Sequence, residues 1–359
     1  MHTLPPQPDL DIPALEQMLE LKNMTNSYKL YWFAALLHEI SRMRHQVTFR
    51  RMVILMVTGC WYSVLAFRLN FGAQDRLHKL VLFAREKYSL APDMHEQELA
   101  DFLENLDDTE WEKRLEEFYK YVPFRLLTPF YPELSMEKKD HARNRMIESL
   151  SRMGNRGIYR IFSDERRIEV HPDWFEYLYC NMPVMKGWLS YRLIFFLQTR
   201  NPNVPAIPFK LSAPRERDLV PASRFWKRVI ALGGINDIYS GELLGQGGIS
   251  IDHFIPWSFV LHDRLWNLVP TTRGTNSSKG DRLPPVDPFL DRFCDIQYRA
   301  FSCALEHGFP KRSLEDYLEI PGITLNTEIP AHEFSARIRD TIMPLYQIAR
   351  NQGFGMWGG

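Results

Sequence analysis

The stretch Ser250-Ile-Asp-His-Phe-Ile-Pro-Trp-Ser-Phe259, continued by Trp266-Asn-Leu-Val-Pro270 and Thr271-Thr-Arg-Gly-Thr-Asn-Ser-Ser-Lys-Gly280, decides how this chain is read. Ser250 to Phe254 alternates small or polar residues with apolar ones and is rich in β-formers. Pro256 and the polar run around Asp263 predict a loop, and Leu268-Val-Pro a second short strand. Thr271 or Thr272 is placed to N-cap a short helix that ends near Gly280. The expected order is strand, loop, strand, helix within about thirty residues.

That order puts chemistry at defined points. Asp252 and His253 are strand neighbours, so their side chains diverge unless the strand ends or bulges there, as Pro256 indicates. Asn276 lies one turn into the helix, and Lys279 follows three residues later on the same face. A hard divalent cation takes oxygen ligands, and Mg²⁺ keeps water and phosphate oxygens for most of its positions. The Asp252 carboxylate and the Asn276 carbonyl are therefore the candidate metal ligands. His253, beside the metal without binding it, is the candidate general base, because imidazole titrates near neutral pH.

The spacing Asp-His, then Asn267, Asn276 and Lys279, resembles the HNH nucleases, whose core is the ββα-metal fold. It is most similar to the HNH domain of the RNA-guided CRISPR effector nuclease. Ile-Asp-His-x-x-Pro-x-Ser-Phe, an Asn fourteen residues after the His, the next Asn nine later and a Lys three beyond all fall in register. Ile238-Tyr-Ser-Gly241 resembles the strand that precedes the motif, and the likeness spans Ile235 to Pro285. The resemblance implies that Asp252 and Asn276 hold Mg²⁺, with Mn²⁺ as the substitute, and that His253 is the base. It also implies that Asn267 pins the loop through backbone hydrogen bonds and that Lys279 is a cation on the phosphate side. Many HNH proteins carry a further histidine on the helix, and Asn276 in that place favours a one-metal Mg²⁺ site. Arg273 at the helix start and His262 in the loop are candidate substrate-binding residues.

The rest of the chain sets bounds on this reading. Its 359 residues are 45% hydrophobic and 13% aromatic, a globular composition. No basic segment followed by an apolar one opens the chain, so a cytoplasmic location is expected. The apolar run Met52 to Phe67 is short for a membrane span and predicts a buried helix. Four scattered cysteines form no Cys-x-x-Cys pair and imply neither a zinc knuckle nor a disulfide framework.

Net charge is zero, but the charge is uneven. Asp93 to Glu117 holds eleven acids against Lys113 and Arg114. Lys138 to Arg167 holds nine Lys/Arg against four acids, and Lys210 to Arg228 six against two. These two basic stretches are the expected track for a phosphate backbone.

The fold class expected is α+β, mostly helical. Residues 1–120 read as a helical interaction or regulatory domain, 121–232 as a mixed basic region with a hairpin at Ile158–Phe162 and Arg167–Val170, 233–288 as the nuclease core, and 289–359 as C-terminal helices with a loose glycine-rich tail. Three prolines in Tyr121 to Pro132 are expected to break the helical pattern there, and Pro208 to Leu211 to be extended. The function expected is metal-dependent cleavage of DNA, as the effector of an anti-phage defence system. The alternatives are a non-cutting nucleic-acid scaffold and an RNA-cleaving nuclease. Nothing in the chain resembles a base-reading module, so restraint is expected from a protein partner or self-assembly through residues 1–120. The acidic segment would contribute by covering the basic track.

Overall fold

The computed structural model describes residues 4–136, 139–214, 217–245, 247–325 and 329–358. The chain packs as two units, residues 1–202 with 207–213 and residues 203–206 with 214–359. Both are largely helical with small antiparallel sheets, the expected α+β class.

The first unit runs α1 (Ile12–Met18), α2 (Tyr28–Ser41), β1 (Gln46–Thr48), α3 (Phe49–Leu65), α4 (Arg76–Tyr88), α5 (Glu96–Glu104), α6 (Thr109–Tyr119), α7 (Val122–Leu127), α8 (Asp140–Met153), β2 (Tyr159–Phe162), β3 (Arg167–Val170), α9 (Pro172–Cys180) and α10 (Met182–Arg200). Its core is the α2–α3 pair, where Trp32, Phe33, Leu36 and Ile40 meet a helix buried almost throughout from Met52 to Val57. No described helix is long and apolar enough to cross a membrane. The charge buried in this core is paired, Glu39 lying 3.2 Å from Arg51 and 3.0 Å from Arg44. Thr48 ends β1 and its hydroxyl accepts from the Arg51 amide, capping α3.

Contacts divide the chain differently from the sequence-based segments. The hairpin of β2 and β3 forms as expected, but β1 adds a third strand, with Val47 opposite Ile168. A boundary at 120/121 therefore falls inside one unit. Within Tyr121 to Pro132, Pro123 sits in the first turn of α7, where a missing N–H costs nothing, and the α-helical path breaks only from Thr128, into the 3₁₀ turns Thr128–Phe130 and Pro132–Met136. Residues 207–209 form a 3₁₀ turn, Ile207–Phe209, where an extended piece was expected.

The second unit runs α11 (Val220–Gly233), β4 (Ile249–His253), α12 (Trp257–Val260), β5 (Leu268–Thr272), α13 (Arg273–Lys279), α14 (Val286–Glu306) and α15 (Ala331–Asn351). β4 and β5 pair antiparallel, Asp252 opposite Val269 and His253 opposite Leu268. Thr272 caps α13 by accepting from the Thr275 amide, and Gly280 closes it at φ +53°, where a side chain would be strained. α14 backs the hairpin: Gln297 donates to the Leu268 carbonyl at 2.8 Å, and the rings of Phe254 and Phe293 lie 4.2 Å apart.

The C-terminal tail is not loose. Trp357 is 6% exposed, its ring centroid lies 5.1 Å from that of Tyr239, and its indole N–H donates to Ser278. Leu283 and the tail exchange two backbone hydrogen bonds, Leu283 N to the Gly355 carbonyl and Trp357 N to the Leu283 carbonyl.

Candidate active site

Antiparallel pairing and the N-cap at Thr272 bring α13 across β4. Asn276 uses its amide nitrogen on the Ser250 hydroxyl at 2.6 Å and the Ile251 carbonyl at 3.3 Å, so its carbonyl is the amide's other end. Lys279, one turn on, reaches the same strand. Its ammonium is 1% exposed and donates to Asp252 Oδ1 at 3.1 Å and to the His253 carbonyl at 2.7 Å.

This differs from the expectation of a cation on the phosphate side. The structure buries Lys279 as the counter-ion of Asp252, because a carboxylate that is 3% exposed needs compensating charge nearby. The other oxygen of Asp252 accepts from the Tyr239 hydroxyl at 2.5 Å. Burial, and then the Asp252 charge, push Tyr239 well above the ordinary phenol value, so the phenol stays neutral and keeps donating.

His253 is 4% exposed, and its Nε2 lies 2.8 Å from Asp263 Oδ1. A carboxylate only accepts, so Nε2 carries the proton and Nδ1 is left as the basic nitrogen. Burial alone would raise the Asp263 carboxyl. The hydrogen bond and charge of His253, together with the Asp218 amide, outweigh it and hold the carboxyl below its ordinary value.

Asn267, fully buried, clamps the loop that follows β4. Its side chain accepts from the Ile255 amide and donates to the Ile255 carbonyl, both at 2.9 Å, and its own carbonyl accepts from Phe254 N. These three bonds fix the backbone directly after His253.

Neither candidate substrate residue hydrogen-bonds to the side chains of Asp252, His253, Asn276 or Lys279. Arg273 is exposed at the start of α13. His262 packs edge-on to Trp266 with ring centroids 5.1 Å apart, and burial, then the charges of Arg264 and His253, lower its pKa to about 4. It is therefore neutral at pH 7 and offers a phosphate no charge.

Three residues carry weight that the sequence reading did not assign. Asp263 orients His253 from ten residues away, and the only signal was an acid in the loop after a candidate base. Tyr239, expected in a strand before the motif, lies instead in a turn closed by the Gly241 amide on the Asp237 carbonyl at 2.8 Å. Asp237, 1% exposed, accepts from the Tyr239 amide, the Thr271 hydroxyl and the Thr272 amide, tying Tyr239 to the end of β5.

For a metal, the donor set of Asp252 and Asn276 is one carboxylate and one amide carbonyl, both hard oxygens that suit Mg²⁺ or Mn²⁺. Among the described residues no three His, Cys, Asp or Glu side chains gather at one point. Both Asp252 oxygens already accept a hydrogen bond, so coordination uses a remaining lone pair or displaces Tyr239 or Lys279.

Residues 237–285 match the HNH endonuclease family model. The matched segment runs from Asp237 through the hairpin and α13, the same residues that build the site. An HNH domain implies a nuclease with a nucleic-acid substrate, and HNH nucleases generally depend on a divalent metal. No curated protein and no solved structure matches the chain.

Proposed function

We propose that the HNH domain hydrolyses phosphodiester bonds of DNA in a divalent-metal-dependent reaction, with His253 as general base. The observation that carries this reading is the His253–Asp263 pair at 2.8 Å, which orients the ring and leaves Nδ1 basic, within the matched segment that also holds the oxygen donors Asp252 and Asn276. The motif register shared with the HNH domain of the guide-dependent effector supports the same ligand pair.

Asp252 and Asn276 would hold a divalent cation, which would supply positive charge for the phosphate oxygens and the leaving oxygen. His253 takes the proton of the attacking water, and Asp263 holds the ring and stabilises the imidazolium that results. Asn267 keeps the backbone beside His253 in place, and Lys279 with Tyr239 holds the Asp252 carboxylate in one orientation. The products are a 5′ phosphate and a 3′ hydroxyl, and one such site cuts one strand per engagement. Arg273, exposed at the helix start, is placed to meet the substrate backbone.

The test is nicking of supercoiled plasmid in Mg²⁺ and Mn²⁺. His253→Ala is expected to lose about 10²–10⁴-fold in rate while retaining DNA binding, since only the proton acceptor is removed. Wild-type cutting by this variant overturns the mechanism. Asp252→Ala is expected to lose the metal response as well, and a parallel assay on RNA of the same sequence identifies the sugar preference. An inactive wild type that still binds DNA would favour a non-cutting scaffold.

An HNH domain joined to a large helical unit without a base-reading module fits the effector of an anti-phage defence system. Phage plating on cells expressing the wild type or His253→Ala checks this. Equal plating on both removes the defence role.

A further inference from the structure

The helical first unit holds a site apart from the HNH domain. Tyr121, 46% exposed, stands where three cavities of about 620, 660 and 350 Å³ adjoin: its side chain lines all three, Lys120 is shared by the first two, and Asn26 and Tyr28 by the last two. Cavities of roughly 300–1,000 Å³ take nucleotide-sized ligands, and here three lie in sequence around one ring.

The charge of the lining is unbalanced. Counted over the three cavities, eight Lys and Arg side chains face four Asp and Glu. Every one of those acids is already paired: Glu116 with Arg166 at 2.8 Å, Glu117 with Arg76 and Asp140 with Arg125 at 2.7 Å, and Glu148 with Arg152 at 2.5 Å. Lys29, Lys79, Lys120 and Arg145 have no carboxylate partner among the described residues. Burial, and then the Arg125 charge, hold Lys29 below the ordinary ammonium value.

Polar groups point the same way. Tyr119 and Asn144, which line the first cavity, and Thr128, which lines the third, each carry a buried oxygen without a hydrogen-bond partner, Tyr119 Oη, Asn144 Oδ1 and Thr128 Oγ1. A buried polar atom left unpaired costs stability unless a ligand or water meets it. Asn144 is held rigid with this end free, because its amide nitrogen donates to the Lys120 carbonyl at 2.7 Å.

We infer that this groove binds single-stranded nucleic acid, a base stacking on Tyr121 and phosphates meeting Lys29, Lys79, Lys120 and Arg145. A cationic groove with an exposed aromatic ring is what tracks a single strand, since each base has a face to stack. A duplex keeps its bases stacked on one another and has none to give Tyr121. The choice of a nucleic acid over another polyanion rests on the nuclease reading of the HNH domain. The groove would present a strand to the protein independently of the chemistry at His253.

The experiment is fluorescence anisotropy of the full chain, in EDTA to prevent cleavage, with labelled oligo-dT and oligo-rU. Tyr121→Ala is expected to weaken binding about tenfold, the loss of one base–aromatic stack, while Tyr121→Trp keeps it. Lys79→Ala with Lys120→Ala should flatten the dependence of log Kd on log salt by about 1.4, two contacts at ~0.7 each. His253→Ala should bind the oligonucleotides as the wild type does. The two arms separate DNA from RNA. Tyr121→Ala binding as tightly as wild type overturns the inference, as does an equal loss of duplex affinity in Tyr121→Ala, or competition by a mononucleotide at the oligomer's own concentration. If plasmid nicking fails but the Tyr121 dependence persists, the groove stands and the nuclease reading falls.

Discussion

Lys279 and Asp252 show how much of this site is structural. The pair is almost solvent-free, so removing one partner leaves a buried charge with incomplete compensation. Lys279→Met is expected to cost on the order of 3–5 kcal/mol in urea unfolding. Tyr239→Phe, which removes only the neutral donor, should cost about 1–2 kcal/mol. Equal denaturation midpoints for Lys279→Met and the wild type would show that Asp252 does not need this counter-ion.

His262 makes a pH prediction. It stays neutral in the fold down to about pH 4, whereas the unfolded chain protonates near the ordinary imidazole value of 6.5. Between those values the unfolded state binds more protons, so stability is lost as pH falls from 6.5 towards 4. His262→Gln should flatten that limb. Asp263, whose folded pKa is depressed, acts in the same direction only below its ordinary 3.8. If denaturant midpoints of wild type and His262→Gln fall in parallel across this window, His262 does not carry the loss.

At the level of elements, the site depends on the tail after α15. Trp357 packs on Tyr239, which holds Asp252, and bonds to Ser278 on α13, one residue from Lys279. The tail thus braces both supports of the Asp252 carboxylate. Trp357→Ala is expected to cost about 3–5 kcal/mol, as large core truncations do, and to lower nicking along with stability. Removing residues 353–359 should have the same effect. Wild-type melting and nicking by the truncated chain would make the tail dispensable. The first unit has a comparable device: β1, three residues long, joins a hairpin more than a hundred residues later through the register Gln46–Glu169 to Thr48–Arg167.

For the whole molecule, zero net charge conceals local neutralisation. Several of the acids between Asp93 and Glu117 pair inside the first unit, among them Glu104 with Arg51, Asp108 with Lys87, Glu112 with Arg50, and Glu116 with Arg166. The basic stretch from residue 138 is likewise partly spent, on pairs such as Arg152–Glu148, Arg160–Glu169 and Arg167–Glu165. In the second stretch Lys210 is buried, and burial lowers its pKa to about 7, so it is no surface phosphate contact. Lys138 and Arg215 lie outside the described residues. Part of each expected basic stretch is thus paired or buried within the fold. Glu116→Gln, which frees Arg166, is a cleaner test of acidic restraint than deleting residues 1–120, since that deletion removes β1 and most of the core. Restraint predicts faster nicking by Glu116→Gln, and an unchanged rate rules it out for this acid. Two packed units also predict two calorimetric transitions, with Trp357→Ala lowering only one. A single transition shifted as a whole would show that the units unfold together.

The sequence alone determined the strand, loop, strand and helix of residues 249–280, because alternation, Pro256, the Thr272 cap and Gly280 are local signals that act within a few residues. It also determined the α+β class and the spacing that brings Asp252, Asn276 and Lys279 to one strand and one helix face. Only the tertiary structure decided which partners those residues have. Tyr239 and Asp263 meet Asp252 and His253 through turns whose geometry no periodicity encodes, and burial turned Lys279 inward. The tail, the β1 strand and the groove at Tyr121 were illegible for the same reason: each depends on long-range packing, where the energy lies in burial and pairing between segments that the local pattern cannot connect.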